Sequence, residues 1–420
     1  MKAAFFKENR RALYKSLEEG TILLLFAGKA HLQSADAYYP FFSNRNFAYL
    51  TGLSGAETQN FVLMAQKTAV ETKETLFILP PDAMAERWTG RRIKPDEARA
   101  AGDIQNIVFA ADFEKYLHRT VSAGEVHAAA LDLCKNTPDE EPDEANRFAA
   151  LLRIRYPELE IKNIHRQLAC QRTIKKPCEI EAMRRAMKVT KAGIEAMMRA
   201  SRPGMYEYEY KAIYDQALTS RGVLSPAFPS IISAGSNNFC IHYYSYTGRA
   251  EDGDMILNDV GACWDNECND VSRGWPCNGK FSERQRALYT CAYETSEHMF
   301  HLIRPGIPMA DVDRIAHEYC GKRLEEIGLL RPGEDVGRYM WHGGAHHVGF
   351  DVHDVVDMTR PVAAGMVFCV DIGIYAEEWG IGFRLEDNCL VTENGCENLS
   401  REIPRSIAEI EQIMRKDALN

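Results

Sequence analysis

Hydrophobic and polar positions divide the chain into two stretches of different rhythm. At the start, MKAAFFKENRRALYKSLEEG mixes apolar and charged residues at helical spacing, which predicts an amphipathic helix ending near Gly20. Thr21–Gly28, TILLLFAG, is a continuous apolar run and reads as a strand buried on both faces. Residues 34–53 are aromatic-rich and interrupted by Pro40 and Gly52, and two more strands follow over Asn60–Gln66 and Glu74–Pro80. Glu86–Arg92 reads as a basic loop bearing Trp88, which by default covers its own domain's core, contact with a neighbouring subunit being the alternative. Strands alternate with helical segments to about Tyr156, and this rhythm predicts an α/β domain over residues 1–165. Within it the acidic, proline-containing residues 136–145 form an exposed loop.

The boundary falls between Ile164 and Lys176, and the rhythm then changes. In Glu179–Arg199, Ile180, Met183, Met187, Thr190, Ile194 and Met197 recur at three- and four-residue spacing, which is one apolar face of a core helix. Helices are also predicted over Glu207–Arg221, Glu283–Arg304 and Met309–Ile327. Pro229–Tyr244 reads as a strand, a Gly/Asn loop and a second strand carrying His242; His342–His353 and Val367–Val391 look β-rich. Long helices mixed with antiparallel strands predict an α+β domain over residues 166–420.

Inside this second domain, Asn258–Arg273 holds Asp259 and Asp270 on either side of a turn-prone centre, Trp264-Asp265-Asn266-Glu267. A hairpin would bring the two aspartates face to face, directly or on a diagonal. Two carboxylates crowded in a partly buried site repel, and a hard divalent cation removes that repulsion. Two solvated aspartates beside a turn are the plain alternative.

Composition narrows the classes of function. The 420 residues are 45% hydrophobic and 26% charged, ordinary for a globular protein. A net charge of −10 argues against a nucleic-acid partner, which needs a basic face. No apolar run approaches the roughly 20 residues that span a bilayer, and the N-terminal charges leave no secretory h-region, so a cytoplasmic protein without a membrane partner is expected. The 12 cysteines form no CxxC pair, and reduced thiols are expected. Cys263, Cys268 and Cys277, close to the aspartates, read as small packing residues, because soft thiolates suit a hard-ion site poorly.

Further candidates lie downstream. WHGGAHHVGFDVHD, residues 341–354, holds His342, His346, His347 and His353 among glycines that permit close backbone approach. VDIGIY carries Asp371, and FRLED carries Arg384, Glu386 and Asp387. Each segment alone is compatible with ordinary surface carboxylates; together they offer a ligand set.

With these residues in order, the chain resembles the pita-bread metallopeptidases of family M24, most closely the aminopeptidase P and prolidase branch. RRALYKSL, SADAYYPFFSNRNFAYLTGL and ERWTGRR are similar to the family's N-terminal domain; IHYY, NDVGACWDNECNDVSRGWPCNGKFSERQRALY and HGGAHHVGFDVHD match its catalytic domain in order. The resemblance implies an α+β pita-bread domain behind a smaller α/β domain. It also implies a dinuclear centre in which Asp270 and Glu386 bridge two divalent ions, Mn(II) foremost, with Co, Zn or Fe as alternatives. Asp259 completes one ion's ligands, and His346 with Asp371 the other's. The ions, about 3.5–4 Å apart, would share a hydroxide that attacks the scissile carbonyl. His353 would stabilise the tetrahedral intermediate, His242 and His342 would line the pocket, and Arg384 would pair with a ligand carboxylate or the substrate's C-terminus. His347 is expected to be structural.

The implied activity is release of the N-terminal residue from peptides with proline at the second position, by a homodimer or homotetramer. One departure stands out: the family carries Glu-Pro where this chain has Asp371-Ile372. DVVDMTRPVAA, between His353 and Gly365, is also shorter than in typical members. Prolidase-type cleavage of Xaa-Pro dipeptides is the nearest alternative, and a catalytically weak peptide-binding homologue is the alternative that Asp371 motivates. A small-amide hydrolase of the creatinase type shares the fold, but creatinase lacks the metals and the retained ligands argue against it.

Overall fold

In the computed structural model, which describes residues 1–415, the chain forms two compact units, Met1–Gln171 and Arg172–Asn420. The first is built on a six-stranded sheet in the order Asn106–Phe109, Thr72–Ile78, Val62–Lys67, Thr21–Phe26, Ala128–Leu131, Glu160–Asn163. Thr21–Phe26 pairs parallel with Ala128–Leu131 and antiparallel with Val62–Lys67, so the sheet is mixed. All six residues of Thr21–Phe26 are buried, which is why the run shows no alternation. Ile22, Leu24 and Phe26 pack with Phe113, Leu117, Ala149 and Leu152 from the helices Phe113–Ser122 and Glu144–Arg155.

Three local expectations of the sequence reading change. The first helix, Ala3–Lys15, stops one turn early: Gly20 adopts a left-handed φ of 72° and donates its N–H to the Lys67 carbonyl, turning the chain into the sheet. The stretch read as a basic loop is mostly the helix Ala83–Thr89, started by Asp82, whose carboxylate accepts from the Met84 and Ala85 N–H groups. Trp88 on that helix is 84% exposed, so it does not cover its own core.

The described part of the second unit is organised on two larger sheets, beside a two-stranded hairpin tip. One is three-stranded, Val271–Pro276, Met255–Val260, Ile231–Ala234; the other is four-stranded, Ala345–His347, Val367–Ala376, Ile381–Val391, Cys396–Asn398, and all its pairs are antiparallel. Val271–Pro276 packs against Ile381–Val391, joining the sheets. Close approach is possible because residue 274 is glycine: a Cβ there would stand 2.6 Å from the Phe383 Cβ. The helix Glu283–Leu302 covers the two long strands, every residue of which is buried. Met183, Met187, Thr190, Ile194 and Met197 on the helix Pro177–Ala200 are buried as expected, with Ile180 half-buried. Among the described residues no helix is long and apolar enough to cross a membrane.

The second strand read from the sequence, the one carrying His242, does not form. Gly235–Phe239 is a short 3₁₀ turn, and the Asn238 side chain takes up partners that a strand would have met with backbone. Its Nδ2 donates to the Met255 and Gly382 carbonyls at 2.8 and 2.9 Å, and its Oδ1 accepts from the Ser233 hydroxyl at 2.7 Å. The chain leaves the sheet there, and His242 follows in irregular backbone.

Asp387, next to the predicted ligand Glu386, ties the two sheets electrostatically. Fully buried, it accepts from Arg273 Nη2 at 2.8 Å, Arg405 Nε at 3.0 Å and the Ser400 hydroxyl at 2.6 Å. Arg273 also donates to the Glu386 carbonyl at 2.8 Å. Burial alone would raise the Asp387 carboxyl, but the two guanidiniums bring it down to about 2. Asp387→Ala strands those cations and is expected to destabilise the unit by about 3–5 kcal/mol in denaturant melts. Because the folded pKa is depressed, the stabilising contribution is complete above the usual aspartate value near 4 and is lost as pH falls from about 4 to about 2. The variant's stability should therefore decline less steeply than the parent's over that window.

Candidate metal centre

Backbone geometry places the candidate ligands. At the tip of the central hairpin, Asp265 and Asn266 have φ of 49° and 72°, the left-handed pair of a type I′ turn joining Cys263–Trp264 to Glu267–Cys268. Further down, Asp259 stands opposite Ser272, and Asp270 lies two residues before Ser272. With a strand period of two, Asp259, Ser272 and Asp270 share one face, and the aspartates meet on a diagonal. In the four-stranded sheet Asp371 stands opposite Glu386 and His346 opposite Cys369, so His346, Cys369, Asp371, Glu386 and Asn388 also share one face. Asp259, Asp270, His346, Asp371 and Glu386 thus belong to two packed sheets of one unit.

Specific hydrogen bonds and close ion-pair contacts position each group. His346 Nε2 lies 3.1 Å from Glu386 Oε1 and 3.6 Å from Asp270 Oδ2. The Ser272 hydroxyl donates to Glu386 Oε2 at 2.8 Å. Asn388 Nδ2 donates to the Asp270 carbonyl at 2.6 Å, and its Oδ1 accepts from the Asp270 N–H at 3.3 Å. His342 Nδ1 is 3.2 Å from Asp371 Oδ2, and its Nε2 is 3.1 Å from the Tyr375 hydroxyl. Room for this imidazole comes from Gly373, where a Cβ would stand 2.4 Å from His342 Nε2. Arg384 is buried and donates through Nη2 to Asp259 Oδ2 at 2.7 Å and through Nη1 to the Tyr375 hydroxyl at 3.0 Å. It therefore pairs with a carboxylate of the set, one of the two partners that the resemblance offered. His353 stacks obliquely on His346, with ring centres 4.4 Å apart. His242 is exposed, within electrostatic range of His353.

Crowded charge distorts the acid–base balance here. Burial, and then the Glu386 charge, push the Asp270 and Asp371 carboxyls well above the usual range. Burial also raises Glu386, but the hydrogen bond and charge of His346 outweigh it and Glu386 stays below its ordinary value. Reciprocally, burial lowers His346, and the Glu386 bond and charge more than offset that, raising it to about 9. His342 and His353 are lowered, chiefly by burial. His347 is buried and lowered to about 4, which fits a neutral structural residue.

One carboxylate oxygen in each of three candidate ligands lacks any hydrogen-bond partner: Asp259 Oδ1, Asp270 Oδ1 and Asp371 Oδ1, all buried. Orphaned buried acceptors in a cluster of repelling carboxylates are costly without a cation. The donor set, four carboxylates and an imidazole, suits divalent ions, so the residues present fit a metal centre. Ligand atoms of Asp270, His346, Cys369 and Glu386 all lie within 4.8 Å of one another. Sequence reading did not single out Ser272, Cys369, Tyr375 or Asn388. Cys369 and Asn388 lie two residues from Asp371 and Glu386, and Ser272 two from Asp270, so the strand period was the available signal.

Comparison with known proteins gives the family. A model of the N-terminal domain of aminopeptidase P matches residues 6–127, and a model of metallopeptidase family M24 matches residues 181–393, just over half of the chain. The chain is 29% identical to the Xaa-Pro aminopeptidase of Escherichia coli strain K12, over 97% of each chain. A solved Bacillus anthracis structure, of a protein proposed to be an aminopeptidase P, is 35% identical, covers 100% of both chains and superposes with a TM-score of 0.96. Zinc-substituted E. coli aminopeptidase P in complex with product is 28% identical, with a TM-score of 0.89 over 99% of this chain and 100% of that one. With its α+β pita-bread fold and this cluster of metal-binding side chains, the chain belongs to metallopeptidase family M24.

Proposed function

We propose that the chain is a dinuclear-metal aminopeptidase that releases the N-terminal residue from Xaa-Pro peptides. The observation that carries this reading is the convergence of Asp259, Asp270, His346, Asp371 and Glu386 on two packed sheets, with three buried carboxylate oxygens left without hydrogen-bond partners. Similarity to relatives named Xaa-Pro aminopeptidases supports the substrate class.

These five side chains would hold two divalent ions, and Mn(II) is the ion that an oxygen-rich set favours. The ions supply Lewis acidity toward the scissile carbonyl and the attacking water. Everything else is the work of the chain's own groups. Arg384 engages Asp259 Oδ2 and leaves Oδ1 for ligation. Ser272 and His346 orient the two oxygens of Glu386. His342 lies beside Asp371 Oδ2, and the unpartnered Oδ1 would take the proton of the attacking water. His353 stands beside His346 as a hydrogen-bond donor toward the oxygen that gains charge. Phe239, Ile241, Tyr243 and Trp341 pack around Tyr375, flanking His242 and His342, and offer an apolar wall for a proline ring. Leu32, Tyr38, Tyr39, Phe42, Met84 and Trp88 are exposed on the first unit, which supports self-association as a homodimer or homotetramer.

Hydrolysis of an Xaa-Pro-Yaa tripeptide and an Xaa-Pro dipeptide, with Mn(II) or Co(II) added and with a chelator control, tests the reading. The expected result is chelator-sensitive release of the first residue from the tripeptide. Cleavage of the dipeptide alone would reassign the chain as a dipeptidase. A protein that binds metal yet turns over neither peptide would overturn the proposal.

A further inference from the structure

Cys369 lies on the floor of the same site and has no place in the assignment above. It is fully buried in the strand Val367–Ala376, directly across from His346 and from Asn388. Asn388 Nδ2 lies 3.2 Å from its sulfur, while that same nitrogen donates to the Asp270 carbonyl at 2.6 Å. The sulfur lies with Asp270, His346 and Glu386 in a group whose ligand atoms are within 4.8 Å of one another. Adjacent ligand atoms about 2.0–2.3 Å from one ion stand roughly 3–3.7 Å apart, so closing on a cation needs an inward shift of roughly 1 Å. A second observation points the same way: Asp270 Oδ1, on a side chain only 4% exposed, has no partner.

We propose that Cys369 is a further, sulfur ligand of the metal centre, joining Asp270, His346, Asp371 and Glu386 on one ion, and that it draws the site toward Co(II), Zn(II) or Fe(II) and away from Mn(II). This rests on the metal-centre reading above and adds a soft donor to it. The chemistry is a ligand exchange: the S–H proton leaves to solvent as the sulfur–metal bond forms, and no electrons are transferred. Sulfur binds borderline ions far better than it binds Mn(II), so a single thiolate can reorder the preference of a carboxylate site. The plain alternative is a small packing thiol whose S–H keeps its hydrogen and donates it to Glu386.

Titration of the metal-free full-length protein with Co(II), followed by absorbance, separates these outcomes. Visible d–d bands report the ion in the site, and a near-ultraviolet sulfur-to-cobalt charge-transfer band reports the thiolate. The wild-type protein is expected to show both. Cys369→Ser should keep the visible bands, lose the charge-transfer band and bind Co(II) about 10-fold or more weakly, with Mn(II) affinity unchanged. Visible bands without a charge-transfer band in the wild-type protein would overturn the sulfur ligand alone, and that result needs no variant to fold. A charge-transfer band that survives in Cys369→Ser would also overturn it, since another cysteine would be the source. Failure of the wild-type protein to bind Co(II) at all would overturn the metal-centre reading together with this inference.

Discussion

Asp270→Asn is expected to lower kcat/KM for an Xaa-Pro tripeptide at least ~1,000-fold, a loss of about 4 kcal/mol of transition-state stabilisation. The carboxylate faces Glu386, His346 and Asp259 at once, so no neighbour can take over its ligation. Its backbone is held independently, through both polar atoms of Asn388, and the substitution should leave the fold intact. Stability offers a check that activity cannot. In the metal-free protein Asp270 is buried among like charges and its carboxyl is pushed well up, chiefly by burial and then by Glu386. A neutral amide relieves that repulsion, so the metal-free variant should melt higher than the metal-free parent. Added Mn(II) or Co(II) should raise the parent's Tm by mass action and leave the variant's nearly unmoved. A variant that still gained several degrees from metal would show that Asp270 is not a ligand.

How far the sequence carries this picture depends on which physical signal each residue leaves. Asp259 and Asp270 were legible because a hairpin's turn residues fix the register, and register fixes which side chains share a face. The alternation of strand and helix in the first unit was legible from long apolar runs such as TILLLF. The strand expected around His242 was not, because Asn238 makes its contacts with its side chain and so replaces a ladder that the local apolar pattern implies. Trp88 was misplaced for a related reason: the Asp82 cap decides for helix, whereas the basic composition suggests a loop. Cys369 went unnoticed because a cysteine in a fully buried strand looks like packing, and its position beside the ligands follows only from the His346 and Asn388 pairings across the strands. Tyr375, which links His342 to Arg384, is silent in the same way.

Asp371 is where this chain departs from the glutamate that its family resemblance implies, and its surroundings pack closely around the shorter side chain. Its N–H donates to the Gly344 carbonyl at 3.0 Å, and a Cβ on Gly344 would stand 2.9 Å from that of Ala316, so the backbone there has little freedom. His342 Nδ1 stands 3.2 Å from Oδ2, and Oδ1 has no hydrogen-bond partner. An added methylene has to break the His342 contact or push into Glu386, which stands directly across the strands. Asp371→Ala removes both a ligand and the proton acceptor, and kcat should fall about 1,000-fold or more with little change in KM. Asp371→Glu keeps the carboxylate but displaces it by about 1 Å, and a misplacement of that size costs on the order of 100-fold in rate. The decisive comparison is Asp371→Glu against the parent on the same Xaa-Pro tripeptide, with metal content measured in both. A loss confined to kcat at equal metal content would mean the site is built around aspartate. A glutamate variant faster than the parent would mean instead that the chain carries a catalyst weakened by a missing methylene, and that its surroundings never adapted to the change.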